Sequence, residues 1–163
     1  MRATSSLSAV VSILLTAHCA LTVIAEELDW TILGSEQAIV LTRQCSRPFP
    51  AGLSGTWEPT ASEVARAERE LPKAVDAALS TISKSYRSHP QYHRQYAGFL
   101  RGDTRVLYVN AVDRDISKTW RDPVVICDGG TSSFGAVFDL QTESFDSFEF
   151  NGDIYGRIPR VSP

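Results

Sequence analysis

The apolar residues of this chain change their spacing once, and that change narrows the folds it can adopt. Between residues 60 and 84 they recur every three or four positions, which places them on one face of a helix. Thr60 and Glu63 match a capping box, the pattern of a helix N-terminus. Pro72 lies inside the periodic stretch and removes a backbone hydrogen bond, so we expect one long helix that is kinked there.

In the second half of the chain the spacing becomes two, which is typical of strands. The alternation predicts strands at 97–100, 105–112, 134–140 and 147–150, with a turn at 102–103 between the first two. Because these segments follow one another closely, we expect them to pair mostly antiparallel.

Two further apolar runs carry no clear period. The run at 123–127 is apolar on both faces, which predicts a central strand. The run at 38–41 is short and partly β-branched, which favours a strand over a helical turn. The predicted fold is therefore α+β, with one long kinked helix packed on a four- to five-stranded, mostly antiparallel sheet.

The N-terminal residues 1–25 have the three parts of a cleavable signal peptide. Arg2 supplies a positive charge, residues 7–15 supply a short apolar core, and Ala25 directly precedes the acidic Glu26. We therefore expect cleavage after Ala25, and a periplasmic or secreted protein.

Three alternatives to that cleavage remain open. Cleavage after Ala20 would place His18 at the upstream recognition position, which is unfavourable. An uncleaved membrane anchor would need ~20 predominantly apolar residues, and Ser12 and Thr16 interrupt the run. Lipidation of Cys19 is disfavoured because the residue before it is a histidine.

Removal of residues 1–25 would leave residues 26–163 as one α+β domain of ordinary size. We expect a loop-rich start at 26–57 and a short C-terminal tail at 154–163. Loss of Arg2 would change the net charge from −3 to −4. A weakly acidic domain is a poor candidate for phosphate-backbone binding, so we expect no nucleic-acid partner. Membrane contact is expected only through the signal peptide before cleavage.

Cysteine content points to one disulfide. Cys19 would leave with the signal peptide, and the two remaining cysteines, Cys45 and Cys127, would most simply pair in an oxidising compartment. The alternatives are two separate buried thiols or a catalytic thiol, whose pKa the neighbouring Arg43 and Arg47 would lower somewhat.

The histidines give little reason to expect a metal or a cofactor. His89 and His93 are spaced by four, which on a helix would let them share a metal. Pro90 argues against a helix at this position, and no third ligand lies close in sequence. We therefore expect no metal site and no cofactor.

Two groups of polar residues are candidate catalytic sites. Asp113, Asp115 and Asp122 could do acid–base work or hold calcium, but neighbouring arginines would neutralise them, so a solvated loop is favoured. Asp128 is followed by Ser132 and Ser133, which suggests a small hydrolase, with His93 as a further candidate.

The spacing around these serines nevertheless misses that of a nucleophile elbow. Glycines at 129 and 130 favour a tight turn instead.

Aromatic residues are dense after residue 91, and most are expected in the core of the sheet. Tyr108 and Asn110 are expected on the open face of the sheet, with Trp120 as a third candidate for a contact surface. Aromatic side chains suit interfaces because they lose little entropy on binding.

The succession of five short motifs resembles that of small exported bacterial proteins with no assigned activity. These motifs are Trp57-Glu58-Pro59-Thr60, Arg94-Gln95-Tyr96-Ala97-Gly98, Leu107-Tyr108-Val109-Asn110, Cys127-Asp128-Gly129-Gly130 and Phe150-Asn151-Gly152. The resemblance covers most of the chain after residue 25. It implies bacterial export and one α+β domain, and it transfers no catalytic residue.

The sequence therefore favours an exported, non-enzymatic binding protein whose partner is another exported protein. Inhibitors and immunity proteins are examples of this class. One alternative is a small-molecule or lipid binder with a pocket between helix and sheet. The other is a small hydrolase that uses Asp128 with Ser132 or Ser133.

Intact mass tests the signal peptide and the disulfide together. We expect protein recovered from the exported fraction to have the mass of residues 26–163, and to gain two hydrogen atoms when it is reduced. A mass that still includes residues 1–25 would contradict the predicted cleavage, and a mass unchanged by reductant would contradict the disulfide.

Overall fold

A computed structural model describes residues 29–82, 91–116 and 119–152. The predicted signal peptide, His89 and the predicted tail lie outside the described residues. The described part contains two helices and six strands: β1 (Trp30–Ile32), α1 (Ser35–Leu41), β2 (Leu53–Trp57), α2 (Ala61–Ser80), β3 (Tyr92–Arg101), β4 (Thr104–Asp113), β5 (Ser133–Asp139) and β6 (Ser144–Phe150). The α+β class is confirmed.

The strands form one open mixed sheet. β3, β4, β5 and β6 follow one another as antiparallel neighbours. The free side of β3 is shared, because β1 pairs with its first half in parallel and β2 pairs with its second half antiparallel. The prediction of four to five strands was therefore too low, since two short strands far apart in sequence occupy one edge.

Four of the predicted β segments of the second half correspond to observed strands. Residues 97–100 and 105–112 belong to β3 and β4, and the turn between them contains Gly102 with φ of 58°. A positive φ costs glycine little because it has no Cβ. Residues 134–140 and 147–150 correspond to β5 and β6, with a turn at 140–143.

Helix α2 starts at the predicted capping box. The Glu63 amide donates to Thr60 Oγ1 at 3.3 Å, and the Thr60 amide donates to Glu63 Oε2 at 2.8 Å. Partial burial opposes the charge on Glu63, but the hydrogen bonds from Thr60 outweigh it and lower the pKa of this carboxyl. Pro72 lies inside the helix, which continues to Ser80, so α2 is shorter than predicted and the kink stays a prediction.

The first face of the sheet packs against α2. The buried helix residues Val64, Ala67 and Leu71 contact a core that includes Tyr96, Leu107, Val109, Phe134, Ala136 and Phe138. An ion pair fixes the helix to β3, since Arg94 donates from Nε and Nη2 to the two carboxylate oxygens of Glu68, at 2.8 and 2.9 Å.

Tyr96 also donates to Glu68. Burial, helped by this carboxylate, raises the pKa of Tyr96 well above its ordinary value, so the phenol stays protonated and remains a donor.

The second face is covered by α1 and by irregular segments. Ala38 and Leu41 are buried on one side of α1, and Ile39 between them is 51% exposed. The strand predicted at 38–41 is therefore wrong, because the buried positions follow helical spacing. The predicted loop-rich start at 26–57 contains the strands β1 and β2 as well as the helix α1.

The central strand predicted at 123–127 is also wrong. These residues form no strand but lie across the second face, where their backbone groups bond to side chains. The Val124 carbonyl accepts from Asn110 Nδ2 at 2.9 Å, and the Val124 amide donates to Gln95 Oε1 at 3.0 Å. An apolar run can thus have its backbone satisfied without joining a sheet.

Within the described residues, neither helix is long and apolar enough to cross a bilayer.

Replacement of Pro72 by alanine tests the cost of the proline inside α2. Pro72 is exposed and cannot donate to the Glu68 carbonyl one turn earlier, so Pro72→Ala should raise the free energy of unfolding by about 1–3 kcal/mol. Urea denaturation measures the change. Pro48→Ala, which replaces an exposed proline in a loop, is the control. This substitution should lower the free energy of unfolding slightly, by about 0.4–1 kcal/mol. A less stable Pro72→Ala variant would contradict this account.

Candidate functional site

The Cys45–Cys127 disulfide is formed, as predicted. It joins the loop after α1 to the segment that covers the second face, across 82 residues of sequence. Both cysteines are solvent-exposed. The alternatives of two separate thiols and of a catalytic thiol are therefore wrong.

Beside the disulfide lies a buried arginine. Arg47 is 3% exposed, and its guanidinium donates to the side-chain oxygens of Asn110 and Asn151. Its Nε also donates to Tyr108 Oη at 3.3 Å. Gly135 lies beneath this group, where a Cβ would come within 2.6 Å of Arg47 Nε. The absence of a side chain at Gly135 lets the guanidinium lie against the sheet.

Two buried amides next to the arginine hold the covering segment. Gln95 Nε2 donates to the Trp120 carbonyl at 2.6 Å and also to the Asp122 carbonyl. Asn110 Nδ2 donates to Gln95 Oε1 at 2.7 Å. Buried amides need such partners, and the side chains of Gln95 and Asn110 find them in this structural network.

The residues predicted as a contact surface belong to this network. Tyr108, Asn110 and Trp120 are 0%, 1% and 6% exposed. The expected exposure of Tyr108 and Asn110 is therefore wrong, because the second face is covered by segments that have no periodic pattern. Trp120 is stacked on His93, with ring centroids 4.4 Å apart.

The structure separates two of the candidate hydrolase groups, His93 and Ser133. His93 lies opposite Val112, which in turn lies opposite Ser133. The backbones of His93 and Ser133 are thus two strand spacings apart, about 10 Å, with β4 between them. The Asp128 side chain is exposed, and its carbonyl accepts from Asn151 at 2.8 Å.

The acidic residues weighed for acid–base work or calcium, Asp113, Asp115 and Asp122, lie at the end of β4 and in the segment that follows it. Asp115 and Asp122 are exposed, and Asp113 accepts from the Asp115 amide at 3.1 Å in a local turn. Among the described residues, no three side chains of histidine, cysteine, aspartate or glutamate are grouped as a metal site would require.

An apolar groove lies between the second half of α2 and β6, and we call it the α2–β6 groove. Its volume is about 340 Å³. Three alanines of the helix face three phenylalanines of the strand across it: Ala74, Ala77, Ala78, Phe145, Phe148 and Phe150. Ile82 lies at the helix end, and Asn151 and Gly152 lie at the strand end.

The floor of the α2–β6 groove is well supported. Phe148 stacks on the fully buried Phe134 with centroids 4.5 Å apart, and it contacts Phe150 edge-on at 5.1 Å. Phe148 and Phe150 are only partly buried. The sequence pattern indicated the phenylalanines and an apolar helix face that includes Ala78, but not Ala74 and Ala77, whose spacing from Ala78 places all three on one side of the helix.

A second cavity of about 560 Å³ reaches β6 from the other face of the sheet, and we call it the Arg47 cleft. It is lined by Arg47, Phe49, Tyr108, Asp146 and Glu149, among others. Arg101 also lines it and donates two hydrogen bonds to Asp146, which raise the pKa of the Arg101 guanidinium.

A third cavity, of about 460 Å³, lies beside Glu68, Pro72 and Arg94. Three of its charged groups are already paired, since Glu68 binds Arg94 and Arg114 binds Asp29. It therefore offers less to a ligand than the two cavities that flank β6.

No protein-family model, curated protein or solved structure matches this chain. The resemblance to small exported bacterial proteins stays a prediction, and the function has to be argued from the cavities and surfaces of the chain itself.

A methyl group at Gly135 tests the close packing of Arg47. In Gly135→Ala the new Cβ would lie 2.5 Å from Tyr108 Oη and 2.6 Å from Arg47 Nε, so we expect a loss of about 1–3 kcal/mol in unfolding free energy. Gly34→Ala is the control, because nothing lies within 4 Å of its added Cβ. It should cost less than about 1 kcal/mol through helix capping. Equal losses in the two variants would contradict the packing argument.

Proposed function

We propose that this protein is an exported, non-enzymatic binding protein, and that the α2–β6 groove holds an apolar part of its partner. The partner is another exported protein, and the protein acts on it as an inhibitor or immunity protein does. The observation that carries this proposal is the row of three phenylalanines that faces three alanines across the groove.

The geometry of the groove supports binding rather than ordinary packing. Alanine side chains on α2 leave the phenyl rings of β6 partly uncovered, although Phe134 directly beneath them is fully buried. Apolar area removed from water contributes about 25 cal/mol per Å². Each phenyl ring that a partner covers would therefore add to its affinity.

The placement of reactive side chains supports a non-enzymatic role. Ser133 and His93 are separated by a whole strand, and the Asp128 side chain is exposed. A catalytic constellation needs nucleophile and base within hydrogen-bond reach of each other, and the strand between His93 and Ser133 argues against that pair.

Export is supported by the disulfide and by the predicted signal peptide. A disulfide persists where the surroundings are oxidising, and Cys45–Cys127 is solvent-exposed. We therefore place the protein in the periplasm or outside the cell.

A small apolar molecule or lipid is the second candidate ligand. A volume of about 340 Å³ falls within the range of small-molecule sites, about 300–1,000 Å³, and the phenylalanine lining suits an apolar ligand. This alternative uses the same groove, so one pair of variants tests both.

Filling the groove should abolish binding. Ala77 is exposed and lines the groove, and Ala65 is an exposed alanine on the same helix outside it. We expect immobilised oxidised protein and its Ala65→Trp variant to retain one stoichiometric partner from the exported proteins of the source cell. The Ala77→Trp variant should retain at least about tenfold less, because the indole occupies the space of the partner.

Two further results decide between the candidates. A partner retained equally by all three proteins would place binding outside the α2–β6 groove. An organic-solvent extract that carries a small molecule from the wild type and from Ala65→Trp, with no protein retained, would favour the second candidate.

A further inference from the structure

We infer that the chain's own C-terminal tail at 154–163 occupies the α2–β6 groove until a partner displaces it. The inference deepens the proposed function and rests on it, because it names what regulates access to the same groove. The tail is assigned an autoinhibitory role, in which a partner binds only by competing with a segment of the protein itself.

The last described residues border the groove. Asn151 and Gly152 line its strand end, next to Phe150. Gly152 is held in place there, because its amide donates to the Ser46 carbonyl at 3.2 Å and its carbonyl accepts from the Gly130 amide at 3.4 Å. The tail is therefore joined to one end of the groove at a fixed point, with only residue 153 between them.

The tail is long enough to fill the groove. Phe145 and Phe150 are five strand steps apart, at most about 17 Å. The ten residues of the tail span up to about 35 Å when extended. Asp153 and Gly156 are residue types that favour turns, so the chain can reverse after Gly152 and pass along all three phenylalanines of the groove.

The composition of the tail suits an apolar groove. The tail contains Ile154, Ile158 and Val161, and these side chains gain free energy when they leave water. The rings of Phe148 and Phe150 are only partly buried and line the groove beside the point where the described chain ends. Contact between these two sets of side chains would remove apolar area from water on both.

The aliphatic side chains of the tail would make this contact, rather than a strand ladder or an ion pair. Pro159 has no amide hydrogen and therefore interrupts pairing along a sheet edge. Asp146 lines the groove but is already paired with Arg101, so the arginines of the tail are not needed to explain its binding.

A second segment also starts at the groove and is a poorer occupant. Residues 83–90 follow Ile82, which lies at the helix end of the groove, and lead to β3. They contain no leucine, isoleucine or valine. Of these two segments, the tail is the one with aliphatic residues to place against the phenylalanines.

Direct attachment makes even weak binding effective. A segment joined to its site by a short linker acts at an effective concentration of about 1 mM. With an intrinsic dissociation constant of about 0.1 mM, the tail would fill about nine-tenths of the grooves and weaken a competing partner about tenfold. Complete release of the tail should therefore increase any measure of groove opening by up to about tenfold.

Trypsin tests whether the tail is held in the groove, because the rate of cleavage follows the population of the released form. The oxidised protein with its complete tail is compared with Ala77→Trp, which fills the groove, and with Ala65→Trp, the control outside it. Mass spectrometry follows cleavage after Arg157, which removes residues 158–163. We expect Ala77→Trp to be cleaved at least about fivefold faster than wild type, and Ala65→Trp at the wild-type rate.

A variant of the tail tests the same contact without changing the groove. Ile154→Ser combined with Ile158→Ser should also speed cleavage at least about fivefold, and it should open the groove to the neutral apolar dye N-phenyl-1-naphthylamine. We expect the dye to bind this double variant at least about fivefold more tightly than wild type. Further addition of Ala77→Trp should remove the binding. Ile116→Ser, which replaces an isoleucine that is 50% exposed outside the groove, is the control.

The contrary outcomes separate this inference from the proposed function. Equal cleavage of wild type, Ala77→Trp and the double variant, or equal dye binding by wild type and the double variant, would overturn the tail as the occupant. The proposed function would survive either result, because it is tested by retention of a partner on wild type and Ala65→Trp but not on Ala77→Trp.

Two other results would also overturn the inference. Protection from trypsin that increases with protein concentration would place the tail of a second copy in the groove. Faster cleavage of both variants, with no dye bound by the double variant and no partner retained by it, would make the tail a permanent part of the core. That last result would overturn the proposed function as well.

Discussion

The rest of this structure depends on how the charge of Arg47 is accommodated inside the protein. The described hydrogen bonds of its guanidinium go to the oxygens of Tyr108 and Asn110 in β4 and of Asn151 after β6. Burying a charge is costly unless every donor finds an acceptor. The requirement for these acceptors fixes the loop after α1, the centre of β4 and the end of β6 relative to one another.

The two faces of the sheet are therefore built on different principles. On one face α2 contributes apolar area, with the Glu68–Arg94 ion pair as the directional contact. On the other face irregular backbone is held down by side-chain amides, and the disulfide ties its two segments together. Neither layer extends fully over β6, which explains why a cavity borders that strand on each side.

Short-range sequence patterns predicted those helices and strands that short-range interactions determine. The capping box at Thr60 and the alternation after residue 96 were enough to predict α2 and β3 to β6, apart from their ends. The run at 123–127 was misassigned because its hydrogen bonds come from Gln95 and Asn110, which are distant in sequence. The alternation correctly implied that Tyr108 and Asn110 share a face, but it carried no information about what covers that face. A pocket between helix and sheet was one of the alternatives, but its position along α2 was not predicted, because Ala74, Ala77 and Ala78 also read as ordinary helix formers.

The end of β6 connects the groove to the disulfide. Asn151 donates to the carbonyls of Ile126 and Asp128, and the Gly152 amide donates to the Ser46 carbonyl at 3.2 Å, so both segments joined by the disulfide contact the strand end that lines the groove. Two equilibria that share a structural element are thermodynamically linked, and the linkage is reciprocal. A partner that binds only when this strand end is in place would therefore make the disulfide harder to reduce. Reduction of the disulfide would weaken the binding of that partner by the same free energy. The redox potential of the compartment would then shift the affinity for the partner, as the binding of a second ligand would.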